Sequence, residues 1–153
     1  MPEIKRILFP IDFTDNSSRI IPYVLSVSEK YDAAIYLLHV VEDFSQWGGY
    51  DISDLRMGRY QEFQEEAFKG AEKTLERVCE EQLQGCPNSQ KRVLTGDPAK
   101  EILKFIESEE IDMVIMGTHG RKGLEHVFFG SVAENVLRRS PVPVLVINPH
   151  TLK

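Results

Sequence analysis

The chain has 153 residues, of which 42% are hydrophobic and 27% charged, the balance of one globular domain over 1–153 rather than a disordered chain. Its 18 Lys and Arg against 24 Asp and Glu leave a net charge of −6, the wrong sign for a nucleic-acid-binding face. No apolar run reaches the ~20 residues of a membrane span, and the start Met1-Pro2-Glu3-Ile4-Lys5-Arg6 lacks a secretion-signal layout, so the expectation is a cytoplasmic protein.

Apolar runs then alternate with helical patterns. Ile4 to Ile11 reads as a strand, and Thr14 to Lys30 as a helix with Thr14 or Asp15 placed to cap it. Ala34 to Val41 is a second strand. Asp43 to about Met57 reads as irregular and contains Trp47-Gly48-Gly49-Tyr50; loops of this length are uncommon and often act as lids or contacts, with a plain surface loop as the default. From Gly58 to Gln84 the residues Phe63, Ala67, Ala71, Leu75 and Val78 recur three or four apart, the stripe of an amphipathic helix.

Arg92 to Thr95 is a short third strand. Asp97 and Pro98 then supply an N-cap and a first helical residue for a helix to about Ser108. Ile111 to Met116 is the fourth strand, Ser131 to Arg139 the last helix, and Val142 to Ile147 the last strand. Near-continuously apolar strands separated by helices predict an α/β fold. The expected form is a doubly wound five-stranded parallel sheet, order 3-2-1-4-5, with helices on both faces.

Cys79 and Cys86 form no Cys-x-x-Cys motif, and His39, His119, His126 and His150 show no metal-ligand spacing, so no metal centre is expected. The densest signal is Gly117-Thr118-His119-Gly120 followed, nine residues on, by Gly130-Ser131. It lies between the end of a strand and the start of a helix, where small residues admit a ligand close to the backbone and free amides favour phosphate. Local structure is the competing explanation: Ser131 with Glu134 three residues later matches a capping box, and Gly117 and Gly120 fit a turn.

In the 3-2-1-4-5 order the winding reverses between the first and fourth strands, where open α/β sheets bind ligands. That brings Pro10-Ile11-Asp12 beside Met116-Gly117. Asp12 suits a sugar hydroxyl, an adenine amine or Mg²⁺, and equally suits a cap for the following helix. Val40 and Val41 would wall a flat base or simply fill the core; His39 reads as a satisfied structural residue. His119, Arg121 and Lys122 lie in the glycine loop, and solvated or locally bonded side chains explain them as well as ligand contacts do. Gly-x-x-x-x-Gly-Lys-Ser/Thr, Gly-x-Gly-x-x-Gly and His-x-Gly-His are all missing from the chain, against the commonest NTPase, dinucleotide and nucleotidyl-transfer readings.

Over nearly its whole length the chain resembles the universal stress protein family, in its ATP-binding branch. The resemblance runs through Ile7-Leu8-Phe9-Pro10-Ile11-Asp12-Phe13-Thr14, Leu37-Leu38-His39-Val40-Val41, Met116-Gly117-Thr118-His119-Gly120, Gly130-Ser131-Val132-Ala133-Glu134-Asn135-Val136 and Pro143-Val144-Leu145-Val146-Ile147. That branch carries Gly, two residues, Gly, nine residues, Gly, then Ser or Thr, and every defined position is matched here. The resemblance implies that Pro10, Ile11, Asp12 and Val40 hold adenine and ribose, that Met116 and Gly117 line the ribose, and that Gly120, Gly130, Ser131 and Val132 hold the phosphates. Arg121 and Lys122 fall at variable family positions and take no role from it.

It further implies ATP, with Mg²⁺ as an option, and a homodimer through Val142 to Ile147, an apolar edge that a partner strand would cover. The expected function is an ATP-binding stress-response or regulatory protein in which nucleotide switches the surface offered to a protein partner. No catalytic set is found, so at most weak ATP hydrolysis is expected. A slow Mg²⁺-dependent ATPase or phosphotransferase and a non-enzymatic interaction module with an empty cleft are the alternatives.

Overall fold

A computed structural model describes residues 1–43, 54–84, 88–118 and 130–152, with the side chains of 54–60 outside the description. Along the chain run β1 (Arg6–Pro10), α1 (Asp15–Tyr31), β2 (Ala34–Glu42), α2 (Asp54–Gln82), β3 (Ser89–Gly96), α3 (Pro98–Ser108), β4 (Met113–Gly117), α4 (Ser131–Arg139) and β5 (Val144–Ile147). The five strands form one sheet of order β3-β2-β1-β4-β5. Every pairing is parallel. Fold class and strand order are those expected from the sequence.

Strand alternation divides the core between the two faces. Ile7 and Phe9 of β1, Ile35 and Leu37 of β2 and Ile115 of β4 meet Ile20, Ile21 and Val24 of α1 and Ala71 and Leu75 of α2. Leu8, Tyr36, Leu38, Val114 and Met116 point the other way, against Ile102, Phe105 and Ile106 of α3 and Ala133 and Val136 of α4. Because β1, β2 and β4 are covered on both sides, their sequences read as unbroken apolar runs.

Several boundaries differ from the expectations, each for a local reason. β3 begins at Ser89, three residues before the expected Arg92, because the polar run Ser89-Gln90-Lys91 pairs along β2 from Ile35 to Leu37; pairing overrides the weak strand propensity of these residues. α2 begins at Asp54, so part of the segment read as irregular up to Met57 is helical, and it ends at Gln82 rather than Gln84. Phe63, placed by its spacing on the buried stripe, is 58% exposed, whereas Leu75 is 1% exposed. β5 is shorter than expected and starts at Val144, after Pro143, whose carbonyl still accepts from Val114 N–H at 2.9 Å.

α1 and α3 end alike. Asp32 and Glu110 adopt left-handed conformations with φ of 52° and 51°. After α1, Asp32 N–H donates to Glu29 O and Ala33 N–H to Ser28 O; after α3, Glu110 N–H donates to Glu107 O and Ile111 N–H to Ile106 O. Both are Schellman closures, each delivering a buried apolar residue, Ala33 or Ile111, toward the next strand. Asp112 then ties β4 to β1: its Oδ2 accepts from Lys5 N–H at 2.9 Å and Arg6 N–H at 3.0 Å.

Among the described residues, no helix is long and apolar enough to cross a membrane, and no group of three or more His, Cys, Asp or Glu is placed to hold a metal ion.

Candidate functional site

β1 and β4 lie side by side at the sheet centre, with Ile7 opposite Met113 and Leu8 opposite Val114. Their connections leave toward opposite faces, α1 on one and α4 on the other, which makes their carboxyl ends the switch point of the sheet. Pro10, Ile11 and Asp12 therefore emerge next to Met116 and Gly117. On the other side of β1, Pro10 pairs with Leu38, and Val40 stands two residues further along β2.

α4 reaches the same edge through its first residues. Thr118 N–H donates to Ile147 O at 3.0 Å, and Thr118 O accepts from Gly130 N–H at 2.8 Å. Gly130, Ser131 and Val132 are thus held directly above the end of β4. A Cβ on Gly130 would lie 3.3 Å from the Thr118 carbonyl oxygen, a tight approach that favours glycine there. Gly130 itself is the N-cap, and no side chain caps the helix.

The capping box read for Ser131 and Glu134 does not form. Ser131 is the first helical residue, one place too late to cap. Glu134 instead pairs with Arg138 at 2.8 Å, and its N–H donates to Gly130 O. A helix start without a side-chain cap leaves first-turn amides and the positive dipole end available to an anion.

Asp12 is exposed but not idle. Its Oδ1 accepts from Thr14 N–H at 3.0 Å and from the Thr14 hydroxyl at 2.7 Å, and the Ser17 hydroxyl donates to the same oxygen. One oxygen thus braces the loop before α1 without capping it, since the helix has no side-chain cap, and Oδ2 has no partner among the described residues. The cap expected from Thr14 is not made: Thr14 occupies the N-cap position, but its hydroxyl is turned to Asp12. Asp97, by contrast, caps α3 as expected, accepting from Lys100 N–H at 3.0 Å.

His39 is satisfied, as its position at the end of β2 suggested. Its Nδ1–H donates to Ile11 O at 2.7 Å, and its ring stacks on Phe13 with centroids 4.1 Å apart. Because a carbonyl only accepts, Nδ1 carries the proton. Burial pushes the imidazole below its usual range, opposed by the Ile11 carbonyl and the Asp12 charge. Phe13 has φ 64°, a left-handed conformation that is unfavourable for an aromatic residue. Spacing gave no sign of it, because the signal is a backbone angle.

Gly120, His119, Arg121, Lys122, the Trp47–Tyr50 stretch and Cys86 lie outside the described residues. One surface groove, of about 370 Å³, runs from Ile11 and Phe13 to Arg77 and Gln82 of α2. Another, of about 360 Å³ between α3 and α4, contains none of the predicted site residues.

The family description "Universal stress protein family" matches residues 3–148. The chain belongs to the universal stress protein family. Universal stress protein MJ0531 of Methanocaldococcus jannaschii is 33% identical over 150 residues, covering 94% of this chain and 81% of that protein. Among solved structures, hypothetical protein MJ0577 superposes with a TM-score of 0.80 at 28% identity, covering 94% of this chain and 95% of that one. UspA of Lactobacillus plantarum gives 0.81 at 20% identity, covering 97% and 100%. Two further universal stress protein structures are described as complexes, one with cAMP (TM-score 0.60, 16% identity, 96% and 98% covered) and one from Archaeoglobus fulgidus with dAMP (0.55, 17%, 97% and 100%).

Proposed function

We propose that residues 1–153 form one adenine-nucleotide-binding domain, with ATP as its ligand, acting as a cytoplasmic stress-response or regulatory switch. The observation that carries this reading is the convergence of Pro10–Asp12, Met116–Gly117 and the uncapped start of α4 on one edge of the sheet, with Gly130 packed against the Thr118 carbonyl. The fit to a nucleotide is chemical. Ser131 and Val132 offer first-turn amides to phosphate, Asp12 Oδ2 suits a ribose hydroxyl, and Val40 supplies an apolar wall for a base. Family structures described with cAMP and dAMP support the adenine class. Glycines at 117, 120 and 130 with Ser131 complete the motif of the ATP-binding branch.

Regulation fits better than turnover because Asp12 has committed one oxygen to the start of α1. ATP shifts the protein between states only as far as it binds them differently. The nucleotide content of the purified protein tests the reading. The denatured supernatant is resolved by ion-exchange chromatography against ATP, ADP and AMP standards. Near-stoichiometric ATP supports a switch, and mostly ADP transfers the case to a slow ATPase. No nucleotide, together with no heat on titration with Mg-ATP, overturns the reading and leaves an interaction module.

The same proposal includes a homodimer through β5. Leu145 on this edge strand is 40% exposed in a run of Val144, Leu145, Val146 and Ile147. A bare apolar edge strand is a pairing template.

A further inference from the structure

Resting on the nucleotide reading, we propose that His39 is a positioning residue: it sets the shape of the β1–α1 loop and so presents Asp12 to the ligand. His39 grips this loop at two points. Its Nδ1–H bond at 2.7 Å fixes the Ile11 carbonyl, while Ile11 N–H is fixed by Leu38 O at 2.9 Å. Its ring stacks on Phe13 at an interplanar angle of 27°. Asp12 is the residue between the two grips.

The second grip matters because Phe13 is held at φ 64°, which an aromatic side chain adopts only when its surroundings over-determine it. The stack on His39 is such a determinant. With Phe13 left-handed, Asp12 Oδ1 collects the Thr14 N–H, the Thr14 hydroxyl and the Ser17 hydroxyl, and Oδ2 is left toward solvent. If Phe13 relaxed to an ordinary φ, the chain would leave Asp12 in another direction and these three bonds could not all persist. His39 also directly precedes Val40, so one residue couples the base-side wall on β2 to the sugar-side carboxylate after β1. A merely structural histidine would be felt in stability alone; a positioning one is felt in ligand affinity, through Asp12.

The test separates the two grips and asks whether they act through Asp12. His39→Asn keeps a donor near the Ile11 carbonyl without the ring, His39→Phe keeps a stacking ring without the donor, and His39→Ala keeps neither. Mg-ATP affinity is measured calorimetrically beside urea denaturation, under conditions where each variant is folded. The expected result is about a tenfold loss for His39→Ala, with partial rescue by Asn or Phe, and no additional loss when His39→Ala is combined with Asp12→Ala. Losses that add in the double variant, or ATP affinities that stay at the wild-type level, overturn the proposal.

Should His39→Ala fail to fold, the Asn and Phe variants, each combined with Asp12→Ala, decide by the same rule. Should the wild type bind no adenine nucleotide, the nucleotide reading fails by itself. Amide shifts of Ile11 to Ser17 then decide the positioning claim: they move in His39→Phe and His39→Asn if His39 sets the loop, and their persistence at wild-type positions overturns it.

Discussion

Gly130 shows how one missing side chain can serve two ends. Its N–H is bonded to Thr118 O at 2.8 Å, and a Cβ would stand 3.3 Å from that same oxygen. A branched side chain must push α4 away from β4, moving the first-turn amides of Ser131 and Val132. Gly130→Val is therefore expected to lower ATP affinity at least about 100-fold, about 2.8 kcal/mol, while the circular dichroism of the fold is kept. Micromolar binding retained in calorimetry would sink the assignment of the loop. His39 gives a second prediction at this scale, from proton linkage. In the unfolded chain His39 titrates near the ordinary imidazole value of about 6.5; in the folded chain burial lowers it. Between those two pH values the unfolded state binds more protons, so the contribution of His39 to stability is intact above about 6.5 and is lost as pH falls toward the folded value. Urea midpoints measured from pH 8 to pH 5 should fall less steeply for His39→Phe than for the wild type. Parallel slopes would show that His39 takes up its proton as readily folded as unfolded.

At the scale of elements, the helix ends carry avoidable strain. Asp32 and Glu110 sit at φ 52° and 51° to complete the Schellman closures of α1 and α3. The left-handed region costs a residue with a Cβ about 1–2 kcal/mol, and glycine recovers that at the expense of a looser unfolded chain. Glu110→Gly is expected to stabilise by about 0.5–1 kcal/mol, and Asp32→Gly by less, because aspartate tolerates this region better. Glu110 gives up only a 3.6 Å ion pair with Arg6, in which its own side chain is 84% exposed. Differential scanning calorimetry reads the outcome; a Tm below wild type for Glu110→Gly would mean that its side chain holds more than the closure. These closures were invisible in the sequence because neither carries glycine. What was legible had a physical signal along the chain: doubly buried strands in β1, β2 and β4, the Asp97-Pro98 start of α3, and the glycine spacing around β4. What was not legible depended on partners far away in sequence. Ser89-Gln90-Lys91 becomes strand because β2 pairs with it, Phe63 falls off the buried face of α2, and Ser131 loses its capping role because Gly130 is already tied to Thr118.

For the whole molecule, the two open edges of the sheet differ in chemistry, and the difference predicts how copies meet. The β3 edge carries Lys91 and Arg92, paired with Glu76 at 3.8 Å and Glu109 at 3.4 Å. Charges on an edge strand oppose pairing with another chain. The β5 edge, Val144–Ile147, carries none, and Leu145 stands 40% exposed on it. A second copy adding its own β5 would satisfy the backbone groups of both edges and bury both leucines. Covering the exposed two-fifths of Leu145 on both copies is worth about 1.2–2.4 kcal/mol in all, so Leu145→Lys should raise the dimer dissociation constant about 10- to 50-fold. Lys91→Leu on the opposite edge should leave the dimer constant unchanged. Sedimentation velocity across a concentration series measures both. If Leu145→Lys sediments as the wild type does at every concentration, β5 is not the interface. If Lys91→Leu alone changes the assembly, the sticky edge is β3, and the charges that now decorate it are what keep it single.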